Sequence, residues 1–424
     1  MHFLRDSKPR AERKATRPIL DSGTARTTSK RASGQPHYQL ARAAGLPGQQ
    51  AVLGLAHALL NVRHNANTQG VSTHGRDQVH LLLLLRRCAH GAIVSFATLI
   101  RTVACRTDAH DLAPEDAALL FGAMLDGGVP ELELGAMLIA LHMKRESPGE
   151  LLGAYEALAA RVHQLQPPPA GAMRTVVVGT GEGTRSQPNL TPLVALLLRR
   201  MGVPVLVHGA LEGQGRIAAA YVFRDLGVLP CGTLAQAQAA LEREKLAFVP
   251  TAVFAPGLAA LQALRGRLGV PNIAQLLARL VDPLPGASLR IVGVSDPVGL
   301  ERMREVLLGT GERAIVLAGT DDEPFADPRQ RPQLELIVDG ASVVLFGEEP
   351  APVDATAALP EARGAKATAT YLRRILEGAA PLPLPIVNEV ACCLYGAGLA
   401  QDLNQAKALV AVEAHTKTGR PLAA

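Results

Sequence analysis

Residues 176–192 read VVVGTGEGTRSQPNLTP. The three valines indicate a buried parallel strand, the glycines a tight loop, and the apolar run from Leu190 to Met201 a helix. This order of elements is a common cradle for phosphate, because glycines let an anion approach the backbone and the helix N-terminus offers free N–H groups. Glycine-rich turns that bind nothing are also common, so the loop alone leaves both interpretations open.

The composition predicts a cytoplasmic protein with two domains and no membrane partner. The chain has 424 residues, of which 48% are hydrophobic, so it can bury a sizeable core. Its longest leucine run, Leu81–Leu85, is far shorter than a membrane span, and the N-terminus does not resemble a secretory signal. Five cysteines without metal-ligand spacing indicate reduced thiols; they are Cys88, Cys105, Cys231, Cys392 and Cys393.

Charge is distributed unevenly along the chain. Residues 1–90 hold 14 basic and 4 acidic residues, a balance of +10, and the other residues together have a balance of −5. Within that acidic remainder, residues 161–280 hold 12 basic and 5 acidic residues, a balance of +7. Positive charge around the glycine loop predicts an electropositive cleft, although the same charges could also scatter over several helix faces.

Three segments follow from the patterning. Residues 1–90 are basic, polar and without sustained periodicity, which predicts a disordered extension. We interpret this extension as a dispensable tail or as the product of a start codon placed too early. A basic nucleic-acid arm has the same composition. Residues 91–168 read as helices, including Glu131–Lys144 and Pro148–Leu165, and end in a proline-rich linker.

Residues 172–424 alternate between strand and helix patterns, which predicts a parallel sheet covered by helices. The expected strands are Val176–Val178, Val203–His208, Phe248–Phe254, Leu289–Gly293, Ala314–Ala318, Leu334–Val338 and Ser342–Phe346. The expected helices are Leu190–Met201, Ile217–Leu226, Gly257–Leu268, Pro297–Leu308, Ala367–Glu377, Ile386–Ala397 and Asp402–His415. The predicted fold class is α/β: an all-helical N-terminal domain and a larger α/β domain with a mostly parallel central sheet.

Several motifs resemble glycosyltransferase family 3, which includes anthranilate phosphoribosyltransferase and the pyrimidine nucleoside phosphorylases. The helical segment 132–144 (LELGAMLIALHMK) is similar to the family's N-terminal domain. The loop 179–181, with Asn189 ten residues after its first glycine, resembles the loop that binds phosphoribosyl diphosphate. His208-Gly209 resembles the centre of a Lys-His-Gly-Asn motif, and Arg265 resembles the arginine that faces anthranilate. The resemblance implies a phosphoribosyltransferase-like fold.

The chain departs from the family where phosphate is bound. Glu182 adds a carboxylate to the loop, and the family's loop aspartate is missing. Val207 stands where the family has a lysine, and Pro324 interrupts the acidic segment 321–327 that resembles its metal-binding region. Because cations placed where charge develops stabilise phosphoryl leaving groups, we expect little or no transferase activity, no catalytic residue and no metal site or cofactor.

Further stretches of the chain resemble one subgroup of the family, the YbiB-type DNA-binding proteins. The shared stretches are 189–193 (NLTPL), 207–209 (VHG), 331–333 (RPQ) and 391–394 (ACCL). The resemblance implies a homodimer through the helical domain and a basic groove for single-stranded DNA, or RNA, without strong sequence preference. An active anthranilate-type transferase using phosphoribosyl diphosphate and Mg²⁺ is the alternative, and a purely structural dimer is a third.

Under the nucleic-acid hypothesis, the candidate phosphate-contacting residues are Gly179, Thr180, Gly181, Arg185, Asn189, Thr191, His208, Arg216, Arg265 and Arg267. A cation at Arg185 or Arg216 suits a backbone phosphate, although a solvated loop arginine has the same pattern. His208 follows a strand at the edge where α/β sheets bind ligands, and a structural histidine fits equally. Aromatic residues are only 3% of the chain, so we expect any binding to be mainly electrostatic.

Overall fold

The computed structural model describes residues 96–104, 110–185, 187–213, 215–350, 359–360 and 364–415. The predicted extension over residues 1–90 lies outside the described residues, so its dispensability stays a prediction. Across the described ranges, every helix falls short of the length and apolar character that a membrane crossing needs.

The N-terminal helical domain has four described helices: α1 Phe96–Ala104, α2 Pro114–Leu125, α3 Glu131–Lys144 and α4 Pro148–Ala159. A capping box starts α4, because the Ser147 hydroxyl accepts from the Glu150 N–H and the Glu150 carboxylate accepts from the Ser147 N–H. The predicted extension of α4 to Leu165 is wrong. Beyond Ala159 the backbone N–H groups of His163 and Leu165 instead donate to carbonyls of Phe254 and Pro283.

The larger domain is built on one seven-stranded sheet with the order β3-β2-β1-β4-β5-β6-β7. Strands β1 to β5 are parallel, and β6 and β7 form an antiparallel hairpin at one edge. The strands are β1 Thr175–Gly179, β2 Val205–Gly209, β3 Leu246–Pro250, β4 Ser288–Val294, β5 Ala314–Ala318, β6 Leu334–Val338 and β7 Ala341–Phe346. The predicted α/β class, with its helical front domain and mostly parallel sheet, is confirmed.

Helices cover both faces of the sheet. Val177 of β1 belongs to one apolar core, and its neighbours Val176 and Val178 belong to the other, so the central strand is buried on both sides. The helices are α5 Thr191–Arg200, α6 Ala219–Asp225, α7 Leu234–Glu244, α8 Thr251–Phe254, α9 Pro256–Ala263, α10 Arg265–Leu268, α11 Ile273–Leu277, α12 Pro297–Thr310, α13 Ala365–Leu376, α14 Leu384–Ala397 and α15 Leu403–His415.

Three predicted elements need correction near the glycine loop. β3 ends at Pro250, which pairs with Gly209, the last residue of β2; beyond it the chain has no strand to pair with and turns into α8. The predicted helix Gly257–Leu268 is broken at Leu264, which places its two arginines on the separate turn α10. The predicted helix over 217–226 starts at Ala219, because Ile217 forms a bridge with Thr184.

Candidate functional site

The glycine loop follows β1 at the carboxyl edge of the parallel strands, where α/β sheets hold their ligands. The Thr180 N–H donates to the His208 carbonyl over 2.8 Å, and Thr184 exchanges two backbone hydrogen bonds with Ile217. Gly183 has a φ of +103°, a conformation that L-residues rarely adopt. The loop is therefore held against β2 and the segment before α6.

The buried carboxylate of Glu323 lies against the glycine loop. Glu323 has no exposed surface, and its Oε1 accepts from the Gly183 N–H over 2.7 Å. Its Oε2 accepts from the Thr191 hydroxyl over 3.4 Å, and burial raises the pKa of this carboxyl. Asn189 is also buried; its side-chain oxygen accepts from the Thr191 N–H, and its amide donates to the Ile217 carbonyl.

We call Gly183, Asn189, Thr191 and Glu323 the floor. A phosphate seated there would need the Gly183 N–H and the Thr191 hydroxyl, and both already donate to Glu323. A side chain at Gly181 would place its Cβ 3.1 Å from Glu323 Oε1, so the carboxylate also lies against the first half of the loop. The donors of the floor, which could otherwise hold a ligand anion, hold the Glu323 carboxylate instead.

His208 lies inside the protein, with no exposed surface. Its Nε2 lies 3.2 Å from the Val281 carbonyl, which makes Nε2 the protonated ring nitrogen, and its ring packs edge-on against Phe254. Burial lowers the pKa of His208 to about 4, so the ring is neutral at pH 7. Val207, its neighbour on β2, is also fully buried. Neither residue presents a cation to the cleft.

We call Glu182 and the four arginines predicted from the sequence the rim; Arg185 is in the glycine loop, and Arg216 and Arg265 approach Glu182 of the same loop. Arg265 forms an ion pair with Glu182, and Arg216 Nε lies 4.0 Å from the same carboxylate oxygen. Arg267, two residues from Arg265, lies 3.4 Å from Glu131 of α3. The last of the four, Arg185, is exposed, and its backbone N–H donates to Asp321.

The structure thus brings two predicted residues, Arg216 and Arg265, to Glu182, which the sequence analysis treated as a loop carboxylate. Glu182 makes contact with Arg265 across 83 positions of chain and with Arg216 from the loop before α6. All three side chains are mostly buried, with exposures of 16% for Glu182, 22% for Arg265 and 16% for Arg216. The contact closes the loop against α10.

A cavity of about 430 Å³ opens beside the rim. Arg185 and Arg216 line it together with the carboxylates Asp321, Asp322 and Asp327. Asp321 and Asp322 both have positive φ, at 53° and 67°, which is a strained conformation for two consecutive aspartates. The cavity is therefore polar and carries both signs of charge.

Two carboxylates of the acidic segment 321–327 already accept hydrogen bonds from the protein. Asp322 Oδ1 accepts from the Ser295 N–H over 2.9 Å, and both oxygens of Glu323 accept hydrogen bonds from the floor. In the described ranges, no three His, Cys, Asp or Glu side chains come together to hold a metal ion.

Arg279, which sequence reasoning missed, lies beneath the loop. It is 7% exposed and donates to the carbonyls of Gln275 and Asp322 over 2.7 and 3.2 Å. Burial lowers its pKa, and the charges of Asp322, Glu323 and Glu182 oppose that shift. The sequence does contain a signal for α11, the helix just before Arg279. It is the capping box in which Asn272 and Gln275 cap each other's backbone.

The chain belongs to glycosyltransferase family 3, the family of the anthranilate phosphoribosyltransferases. Residues 98–162 match the model described as "Glycosyl transferase family, helical bundle domain". The chain is 30% identical to the anthranilate phosphoribosyltransferase of Methanosphaerula palustris over 314 residues, which covers 71% of this chain and 89% of the relative.

Within the family, the chain is 38% identical to the "Uncharacterized protein YbiB" of Escherichia coli K12 over 306 residues, which is 72% of this chain and 95% of that protein. The crystal structure of anthranilate phosphoribosyltransferase from Thermus thermophilus superposes with a TM-score of 0.60 at 25% identity. That match covers 74% of this chain and 93% of the Thermus chain. The scaffold is therefore that of the transferases.

Proposed function

We propose that this protein binds single-stranded nucleic acid, with single-stranded DNA preferred, on a transferase scaffold that no longer carries out phosphoribosyl transfer. The observation that carries the proposal is the division of the site into a closed floor and a cationic rim. Glu323 occupies the floor, so the anion-binding capacity that is left belongs to Arg185, Arg216, Arg265 and Arg267.

The chemistry of the rim favours a phosphate backbone over a base. Arginine forks match phosphate oxygens, and contacts to phosphate position a strand without reading its sequence. A strand also presents a phosphate at every nucleotide, which suits cations spread over the loop, α10 and the segment before α6. Aromatic residues are few in the chain, so base stacking contributes little. We therefore expect binding that depends little on sequence. We propose that it takes place in the cytoplasm.

The alternative is an active anthranilate-type phosphoribosyltransferase that uses Mg²⁺. The floor argues against it, because a diphosphate would have to displace a buried carboxylate from its hydrogen bonds. The buried Val207 and neutral His208 argue in the same direction, since neither provides positive charge to a leaving group. We expect no growth when the gene is supplied to a tryptophan auxotroph lacking this transferase, and robust growth would establish the alternative.

The direct test is titration of labelled single-stranded DNA with the full chain and with a variant in which Arg185, Arg216, Arg265 and Arg267 are replaced by glutamine. We expect the wild-type affinity to fall steeply with salt and the slope to flatten by about 0.7 for each phosphate that the variant no longer neutralises. Oligonucleotides of different sequence should be affected alike. Equal affinity and equal slopes for the two proteins would contradict the proposal.

We also propose that the protein is a homodimer through its helical domain. Leu132 and Met143 of α3 are 81% and 76% exposed, which is unusual for large apolar side chains of one helix. Sedimentation of the full chain at micromolar concentration should give the mass of a dimer, and Leu132→Lys with Met143→Lys should shift it to a monomer. A wild-type monomer would remove this part of the proposal.

A further inference from the structure

Glu182 has an unusual position for a carboxylate. It lies in a loop whose backbone suits anions, and two of the arginines proposed to hold a strand approach it. Arg265 donates to it directly, and Arg216 is 4.0 Å away. The exposure of the three side chains does not exceed 22%, so solvent and salt screen this cluster less than an exposed ion pair.

We propose that Glu182 is an internal counter-anion that sets the affinity of the rim for phosphate. The inference rests on the proposed function and adds the residue that limits it. A ligand phosphate that binds Arg265 or Arg216 competes with the Glu182 carboxylate for the same guanidinium groups. Every phosphate that binds there shares its arginine with an existing carboxylate partner, so the net gain is smaller than two free arginines would give.

The same contact makes the rim discriminate between ligands. Arg185 forms no ion pair with another described residue, and Arg267 has a weak, largely exposed partner in Glu131, whose side chain is 83% exposed. A strand can bind these two cations first, after which its next phosphates reach Glu182 at a high effective concentration. A free phosphate ion lacks this anchorage. Glu182 therefore favours connected phosphates over single anions.

The test compares the full-length wild type with Glu182→Gln, which keeps the size of the side chain and removes its charge. We expect Glu182→Gln to bind single-stranded DNA roughly fivefold more tightly at low salt, the equivalent of about one exposed ion pair. Its log K should fall more steeply with log salt, by about 0.7 for each arginine that becomes free to bind a phosphate. Glu182→Asp, with a shorter carboxylate, should lie between the two.

Two controls separate this effect from a general change in charge. Glu301→Gln removes the same charge from α12, where Glu301 lies 3.3 Å from Arg304 outside the rim, and should leave affinity and slope unchanged. Glu182→Gln combined with Arg216→Gln and Arg265→Gln should lose the gain. If Glu182→Gln binds no better than wild type, or if the triple variant keeps the gain, the proposal is overturned.

Inorganic phosphate distinguishes failure of this inference from failure of the proposed function. We expect calorimetric titration to detect phosphate binding to Glu182→Gln and none to wild type at the same concentration. If neither protein binds DNA but Glu182→Gln binds phosphate, the nucleic-acid function fails and the counter-anion role stands. If wild type binds DNA and Glu182→Gln behaves identically with both ligands, the counter-anion role fails alone.

Discussion

The floor and the rim both meet at the glycine loop, but the floor residues are fully buried whereas two of the rim arginines are exposed. Glu323 and Thr191 of the floor are fully buried and hydrogen-bonded to the loop. On the rim, the Arg267 side chain is 69% exposed and Arg185 is exposed as well. In the floor, backbone geometry that suits an anion holds a carboxylate of the protein itself.

The comparison also separates stability from binding. A floor residue has given up ligand contacts for internal hydrogen bonds, so changing it should alter the free energy of unfolding. The exposed rim arginines Arg185 and Arg267 lack a buried ion-pair partner among the described residues, so changing either should alter affinity and leave the fold intact. Four changes to the chain test this separation, from the largest expected effect to the smallest.

Replacing the floor carboxylate should have the largest effect on stability. Glu323→Ala leaves the Gly183 N–H and the Thr191 hydroxyl without their acceptor, and it removes a charge that faces Arg279. At about 1–3 kcal/mol for each unsatisfied buried group, we expect a loss of about 4 kcal/mol. Urea unfolding measures it, with Arg267→Ala as the exposed control, which should cost less than about 0.5 kcal/mol. Equal costs at the two positions would contradict the division into floor and rim.

The pH dependence of stability should report the burial of His208. Its pKa is about 4 in the folded protein and near 6.5 when unfolded, so between these values the unfolded state binds more protons. Stability contributed by the neutral ring is therefore present above pH 6.5 and is lost as the pH falls towards 4, by ~3 kcal/mol in total. His208→Gln should lack this part of the acid destabilisation. A variant with the wild-type profile would show that His208 is not buried in its neutral form.

A single rim arginine should have a smaller, purely electrostatic effect. Arg185→Gln removes an exposed cation that forms no ion pair with another described residue. We expect the slope of log K against log salt to flatten by about 0.7 per subunit and all DNA sequences to weaken alike. Melting temperature serves as the control and should not change. A loss restricted to some sequences would instead indicate base readout at this position.

Deleting residues 1–90 should have the smallest effect on the fold. The segment carries a charge of +10 and no periodic apolar pattern, which predicts no contribution to the core. We expect the melting temperature to be unchanged in a scanning calorimeter. A drop of several degrees would show that the segment packs on the rest of the chain.

Local patterns allowed much of the fold to be predicted. The valine run, the glycines and the following leucines are adjacent in sequence, so β1, the loop and α5 could be placed to within two residues. α7 and α11 were missed, although Thr233 and Asn272 at their N-caps provide readable signals.

The site was less predictable, because its decisive contacts join distant parts of the chain. Gly183 and Glu323 are 140 positions apart, and Glu182 and Arg265 are 83 apart. Nothing in the local sequence of Glu323 shows that it fills the loop, and nothing near His208 shows that its ring is enclosed. The arginines were predicted individually as cations, but their shared partner depends on how α10 packs on the loop.

The central claim is that the rim, and not the basic N-terminal segment, holds a strand. The most direct measurement is a fluorescence titration of labelled single-stranded DNA with the chain lacking residues 1–90, at about 50 mM salt and then at higher salt. We predict binding at low salt, with little dependence on sequence and a steep loss as salt rises. The balance of the remaining chain is −5, so attraction by net charge alone does not favour this result. A truncated protein that fails to bind at about 50 mM salt would contradict the account.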